Sequence, residues 1–174
     1  MPNVDNPHGL QTLGRTLSGG LPTIESFQKA ASYGTALFIG DAVARAADGT
    51  IDKTITPGTT NYSGVCLNYG AASTLTDHLV ITSPDCLFEA QDNNDTDGFV
   101  AADMGLNVNL ELNAGNALTQ LSGHELDEST VQTTNTLDVK LLRLFGSPDN
   151  AYGANGRYEI VFNKHRMANA IAGV

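Results

Sequence analysis

The chain has 174 residues, 19 acidic and 9 basic side chains, a formal net charge of −10, and 41% hydrophobic residues. This length and hydrophobic content suit one folded domain with its own core and exclude a disordered chain. The acidic balance, with no run of Lys or Arg against it, argues against nucleic acid or an anionic membrane as partner, and no apolar run approaches the roughly 20 residues that span a bilayer.

The N-terminus, with Pro2, Asn3, Asp5, Asn6 and Pro7, is too polar for a signal peptide, so synthesis and assembly in a cytoplasm are expected. Residues 1–22 are dense in Gly and Pro, which forbids a helix of any length. Yet Leu10, Leu13, Leu17 and Leu21 are scattered through this segment. One reading is an extended arm that docks onto a neighbour, its removal leaving a folded body of residues 23–174. The other is a terminus that hugs its own subunit.

Residues 25–31 admit a short helix. Residues 36–39 and 42–44 read as two β segments with a turn or bulge at Gly40. Asp48-Gly49 is a hairpin signal and Pro57-Gly58 marks a further turn. Strands are expected over residues 63–69, 78–82 and 86–91. In residues 106–113, Leu106, Val108, Leu110 and Leu112 alternate with Asn107, Asn109, Glu111 and Asn113, the pattern of a sheet with one solvated face. Residues 118–136 are polar, with Leu121, Leu126 and Val131 as anchors.

The last pair of runs is the best-defined hairpin. Residues 139–145 are apolar apart from Lys140 and Arg143, as for a strand covered on most sides. Residues 157–163 alternate, Tyr158, Ile160 and Phe162 against Glu159, Val161 and Asn163, as for a half-buried strand. A long ordered loop of turn-forming residues joins them, with Asp149 to Gly156 exposed or in subunit contact. About nine short strands without a long helix predict an all-β, single-domain β-barrel or jelly-roll-like sandwich with an extended N-terminal arm.

No motif supplies chemistry. Asn93, Asp95, Asp97 and Gly98 fall in the register of a calcium-binding loop, but Met104 stands where a bidentate Glu is required and flanking helices are missing. A solvated turn is the better reading, with a less specific cation site at Asp95 and Asp97 left open. His124-Glu125 begins like a zinc-protease motif, but Glu128 occupies the second His position. His8, His78, His124 and His165 share no ligand spacing. No nucleophile elbow, phosphate loop or dinucleotide fingerprint is present. Few aromatics and no Trp make a poor sugar-stacking surface. No catalytic residue, cofactor or metal is therefore expected. Cys66 and Cys86 read as buried thiols, with a bridge between neighbouring strands as the alternative.

Several segments, in order, carry a family likeness. They are the start from Asn3 to Leu10, Gly34 through Val43, the Asp48-Gly49-Thr50-Ile51 turn, Gly105-Leu106-Asn107, Ser122 through Asp127, and Asp149 through Gly153 continuing to Phe162 through His165. Together they resemble the tailed-bacteriophage capsid decoration, or structural cement, proteins over nearly the full length. Ala42 departs from the Pro expected in that family's Gly-Asp-Pro-Val.

The resemblance implies a non-enzymatic virion protein on the outer face of the capsid. There it would clamp neighbouring copies of the major capsid protein, and pair with itself as a homo-dimer or homo-trimer. Partner-binding residues are then expected at Leu10, Leu13, Leu17 and Leu21 of the arm and at Asp149, Asn150 and Tyr152 of the late loop. The alternatives are another virion β protein of the tail or receptor-binding type, and a β-barrel hydrolase or carbohydrate-binding module.

Overall fold

The computed structural model describes residues 3–53 and 55–168. Its strands are β1 (Gln11–Thr16), β2 (Ile24–Lys29), β3 (Ala42–Arg45), β4 (Ile51–Asp52), β5 (Gly64–Cys66), β6 (Thr76–Ile81), β7 (Cys86–Gln91), β8 (Asn107–Asn116), β9 (Leu121–Gln132), β10 (Val139–Leu144) and β11 (Arg157–Phe162). Among the described residues the only helical turn is a 3-10 turn at Ala101–Asp103. The fold is all-β, as the strand count and turn spacing predict.

Two antiparallel sheets form. One runs β1-β7-β11-β10-β8-β9 and the other β2-β6-β5-β3-β4. The first curls toward closure, since Asp92, just past β7, forms a parallel bridge with Leu126 of β9. The Asn93 N–H then donates to the Leu126 carbonyl at 3.0 Å. Its inner face carries most of the main core, which includes Phe88, Val108, Leu110, Leu126, Val139, Leu141, Tyr158 and Ile160. A second, smaller core of Leu37, Val43, Ile51, Cys66 and Val80 lies under the other sheet.

Residues 3–22 do not stand apart from this body. Gln11–Thr16 are an edge strand paired with β7, and Leu10 is buried in the main core. The physical reason is local. Gly14, at φ 69°, sits inside the register shift between Thr12 and Thr16, so a residue that breaks helices serves here as the bend of an irregular strand. Removing residues 1–21 would therefore strip a strand and a core leucine from the fold.

Three further expectations change. The helix at 25–31 is instead β2, paired residue for residue with β6 from Ile24↔Ile81 to Lys29↔Thr76. The polar stretch 118–136 contains the longest strand, β9, hydrogen-bonded to β8. In the late hairpin, β11 is buried on both faces, whereas Arg143 of β10 is exposed. The reason lies in β7 and β11, where Glu89 and Glu159 stand directly opposite each other on the outer face. Two like charges would repel, but cations cover both. Arg143 and Arg15 reach Glu159 at 2.7 and 3.2 Å, and Arg157 reaches Glu89 at 3.4 Å.

Lys29 ends β2 with its side chain wholly buried, its ammonium without a hydrogen-bond partner among the described residues and 5.9 Å from the Tyr33 ring centroid. Burial pulls its pKa below the usual lysine range. A buried cation without a hydrogen-bonded counter-charge costs stability that an apolar isostere does not. Lys29→Met is thus expected to raise stability by about 1–2 kcal/mol in urea melts. A loss of stability would show that the ammonium is held by a contact stronger than its desolvation.

Candidate functional site

The most catalytic-looking set is sealed. Asp41, just before β3, and His124 of β9 join the two sheets, with His124 Nε2 3.3 Å from Asp41 Oδ1 and neither side chain exposed. The Ala42 N–H donates to His124 Nδ1 at 3.3 Å, which leaves the proton on Nε2. The Nε2–Oδ1 approach is close without the direction of a hydrogen bond. Asp41 Oδ2 accepts from the Phe38 N–H at 2.9 Å and faces Lys53 Nζ at 3.3 Å. Burial drives His124 down to a pKa of about 4, against the pull of Asp41, so it is neutral at pH 7. The nearby thiol of Cys66 is buried and unbridged, and burial and then the Asp41 charge push its pKa up, which suppresses the thiolate. With no route for a substrate, this set ties the sheets together.

Loop 93–98 is built for an anion. The N–H groups of Thr96 and Gly98 donate to the Glu128 carboxylate at 3.2 and 2.9 Å, and Asp97 N–H approaches it at 3.4 Å, with the Thr96 hydroxyl also bonded. Burial raises the Glu128 pKa, but these donors outweigh it and leave the group below its usual range. Converging N–H donors form a nest of positive polarity, opposite to what a cation needs. Asp95 and Asp97 are exposed, and among the described residues no group of three His, Cys, Asp or Glu side chains is placed to hold a metal.

The late loop is clasped by its own N-terminus. Asn3 Nδ2 donates to the carbonyls of Ala151 and Ala154 at 3.0 and 2.9 Å, and the Ala151 N–H donates back to Asn3 Oδ1 at 2.9 Å. Gln91 continues the clasp, donating to Val4 O at 2.7 Å and Asn155 O at 3.0 Å. His8 lies 3.5 Å from Glu89, which raises its pKa against the opposing effect of burial. Of the expected contact residues, Asp149 is exposed and pairs with Arg157 at 2.9 Å, while the half-buried Asn150 brackets the loop through Phe145 and Arg157. Tyr152 is 42% exposed, its ring 6.2 Å from that of Tyr158. The structure therefore brings Asp149 and Asn150 together with residues 3–6 and His8 around one polar hollow.

The arm leucines divide. Leu10 is in the core and Leu13 is half-buried, whereas Leu17 is 57% and Leu21 87% exposed. A tight turn displays Leu17, with the Thr16 N–H bonded to Gly20 O at 3.0 Å and the Leu17 N–H to Asp85 O at 2.8 Å. This crossover from one sheet to the other runs beside the β6–β7 connection, where Thr23 N–H meets Ser83 Oγ at 2.7 Å. Ile24 and Leu79, on the paired strands β2 and β6, are also about half exposed. Leu17 also borders an apolar groove with Pro84, Leu142, Val161 and Phe162. Ile24 and Leu79 escape a reading of the sequence because an apolar residue on the solvent face of a strand looks like one on the core face. No protein family, curated protein or solved structure matches the chain.

Proposed function

We propose that the protein is a binding subunit of a virus particle, a capsid decoration or cement protein that grips the major capsid protein on the outer face of the shell. The family likeness of its segments supports this reading. The observation that carries it is the exposed leucine pair Leu17 and Leu21, the first on a hydrogen-bonded turn and the second just after it. Apolar side chains presented together on a rigid turn gain free energy only when a partner covers them. The turn is already ordered, so binding loses little chain entropy. Many such contacts, repeated by the symmetry of a shell, sum to strong clamping.

The test uses undecorated heads and purified protein in a co-sedimentation assay. Leu17→Ser with Leu21→Ser is expected to weaken decoration by at least about tenfold, because each buried leucine contributes roughly 1.5–3 kcal/mol. Its thermal melt should match the parent, since both side chains are exposed. Unchanged decoration by a folded double variant would sink this reading.

A further inference from the structure

Arginine pairing is uneven across this chain. Of its five arginines, Arg15 and Arg143 meet Glu159, and Arg157 meets Glu89 and Asp149. Arg45, at the end of β3, and Arg166 have no ion pair among the described residues, and both line one groove. The groove holds ≈ 470 Å³ and is floored by Ser63, Thr82 and His165, with Phe27 and Met167 on its walls. A second hollow, lined by Ala44, Thr60 and Asn61, adjoins it through the same two arginines.

The arginines are held in place. Arg45 lies over the Phe27 ring, 5.6 Å from its centroid, and Arg166 Nη1 donates to Arg45 O at 3.4 Å. A guanidinium on an aromatic face keeps its edge N–H groups free for a carboxylate. The Ser63 side chain is buried, with a hydroxyl that has no hydrogen-bond partner among the described residues. His165 is buried and neutral, its Nδ1 accepting from the Met167 N–H at 3.2 Å and its pKa lowered by burial against the pull of the Ser63 backbone.

We infer that this groove binds an extended acidic peptide segment, an Asp or Glu flanked by an apolar residue, with Arg45 and Arg166 as its carboxylate ligands. Two guanidiniums between adjoining hollows suit an elongated ligand rather than a point ion. Phe27 and Met167 supply contact for an apolar neighbour. Glu25, also at the groove, repels a polyanion more than a single carboxylate, which selects against nucleic acid and free phosphate. In a chain of net charge −10 this local excess of cation is complementary to an acidic partner and steers its approach.

The experiment is fluorescence anisotropy with a labelled Gly/Ser peptide carrying Glu-Phe-Glu, beside its Gln-Phe-Gln analogue. The glutamate peptide is expected to bind, more weakly as salt rises, and to lose about tenfold in affinity on Arg45→Ala with Arg166→Ala, and similarly in the Gln analogue. Glu25→Gln is expected to strengthen binding a few-fold, a gain that damage to the fold does not produce. The proposal is overturned if the glutamate peptide fails to bind, if the Gln analogue or the folded double variant binds equally well, or if equimolar inorganic phosphate displaces the peptide.

Discussion

Asp41→Ala is expected to destabilise the protein by about 3–5 kcal/mol, the usual cost of breaking a buried charge pair from one side. The substitution leaves the Phe38 N–H without its acceptor, Lys53 without its counter-charge and the wholly buried His124 without its electrostatic partner. For a chain of this size the melting temperature should fall by roughly 6–20 °C. His124→Ala should cost less, because the imidazole it removes is neutral. A double-mutant cycle checks the coupling: the pair should be less than additive. Full additivity would show that the two side chains stabilise their sheets independently and do not join them.

Asp92→Asn is expected to act in the opposite direction, stabilising the protein by about 1–3 kcal/mol near pH 8. Burial first, and then the Glu128 charge, raises Asp92 from 3.8 to about 7, and Glu125 adds to the effect. At about 1.4 kcal/mol per pH unit, the folded state then carries a penalty on the order of 4 kcal/mol above pH 7, an upper bound before water relaxes the site. The sign follows from proton counting. Between pH 3.8 and about 7 the folded state holds a proton on Asp92 that the unfolded state has lost, so this contribution is full at low pH and is lost as pH rises. An asparagine keeps an oxygen for the Asn94 and Asn155 N–H groups, which lie 3.3 and 3.2 Å from Asp92 Oδ2.

His124 has the reverse sign. Its pKa of about 4 lies below the usual 6.5, so stability falls as pH drops through that window. In the parent the two slopes oppose each other across roughly pH 4–6.5. In Asp92→Asn the His124 slope stands without the Asp92 offset, and the variant's advantage should shrink steadily from about pH 8 to pH 4. Chemical denaturation at several pH values measures this. An advantage that stays constant with pH would show that Asp92 is not the group that titrates.

The parts legible in the sequence were those where one face is apolar and the other polar. Leu106, Val108, Leu110 and Leu112 alternate with amides, and β8 forms there. The hairpin of β10 and β11 was legible for the same reason, together with the turn chemistry between its strands. β9 was not, because its buried face includes the polar Ser122 and His124, which meet the His124 N–H and the distant Ala42 N–H and Asp41 respectively. β2 carries exposed residues on both faces, so no alternation marks it.

The candidate surface was half legible. Four leucines in a stretch whose Gly and Pro forbid a helix showed that something must cover them, but strand pairing across the chain decides that Leu10 turns inward and Leu17 and Leu21 outward. The arginine groove left no trace in sequence at all. Arg45 and Arg166 are far apart in the chain, and their significance lies in the carboxylates that neither of them meets.

The crossover that carries Leu17 and Leu21 has a mechanical meaning. It is covalently continuous with β1 of one sheet and β2 of the other, and it is laced to the β6–β7 connection through Leu17, Ser18 and Thr23. Tension applied at those leucines therefore enters both sheets at once, along strand axes. The two sheets therefore resist a pull at this point together.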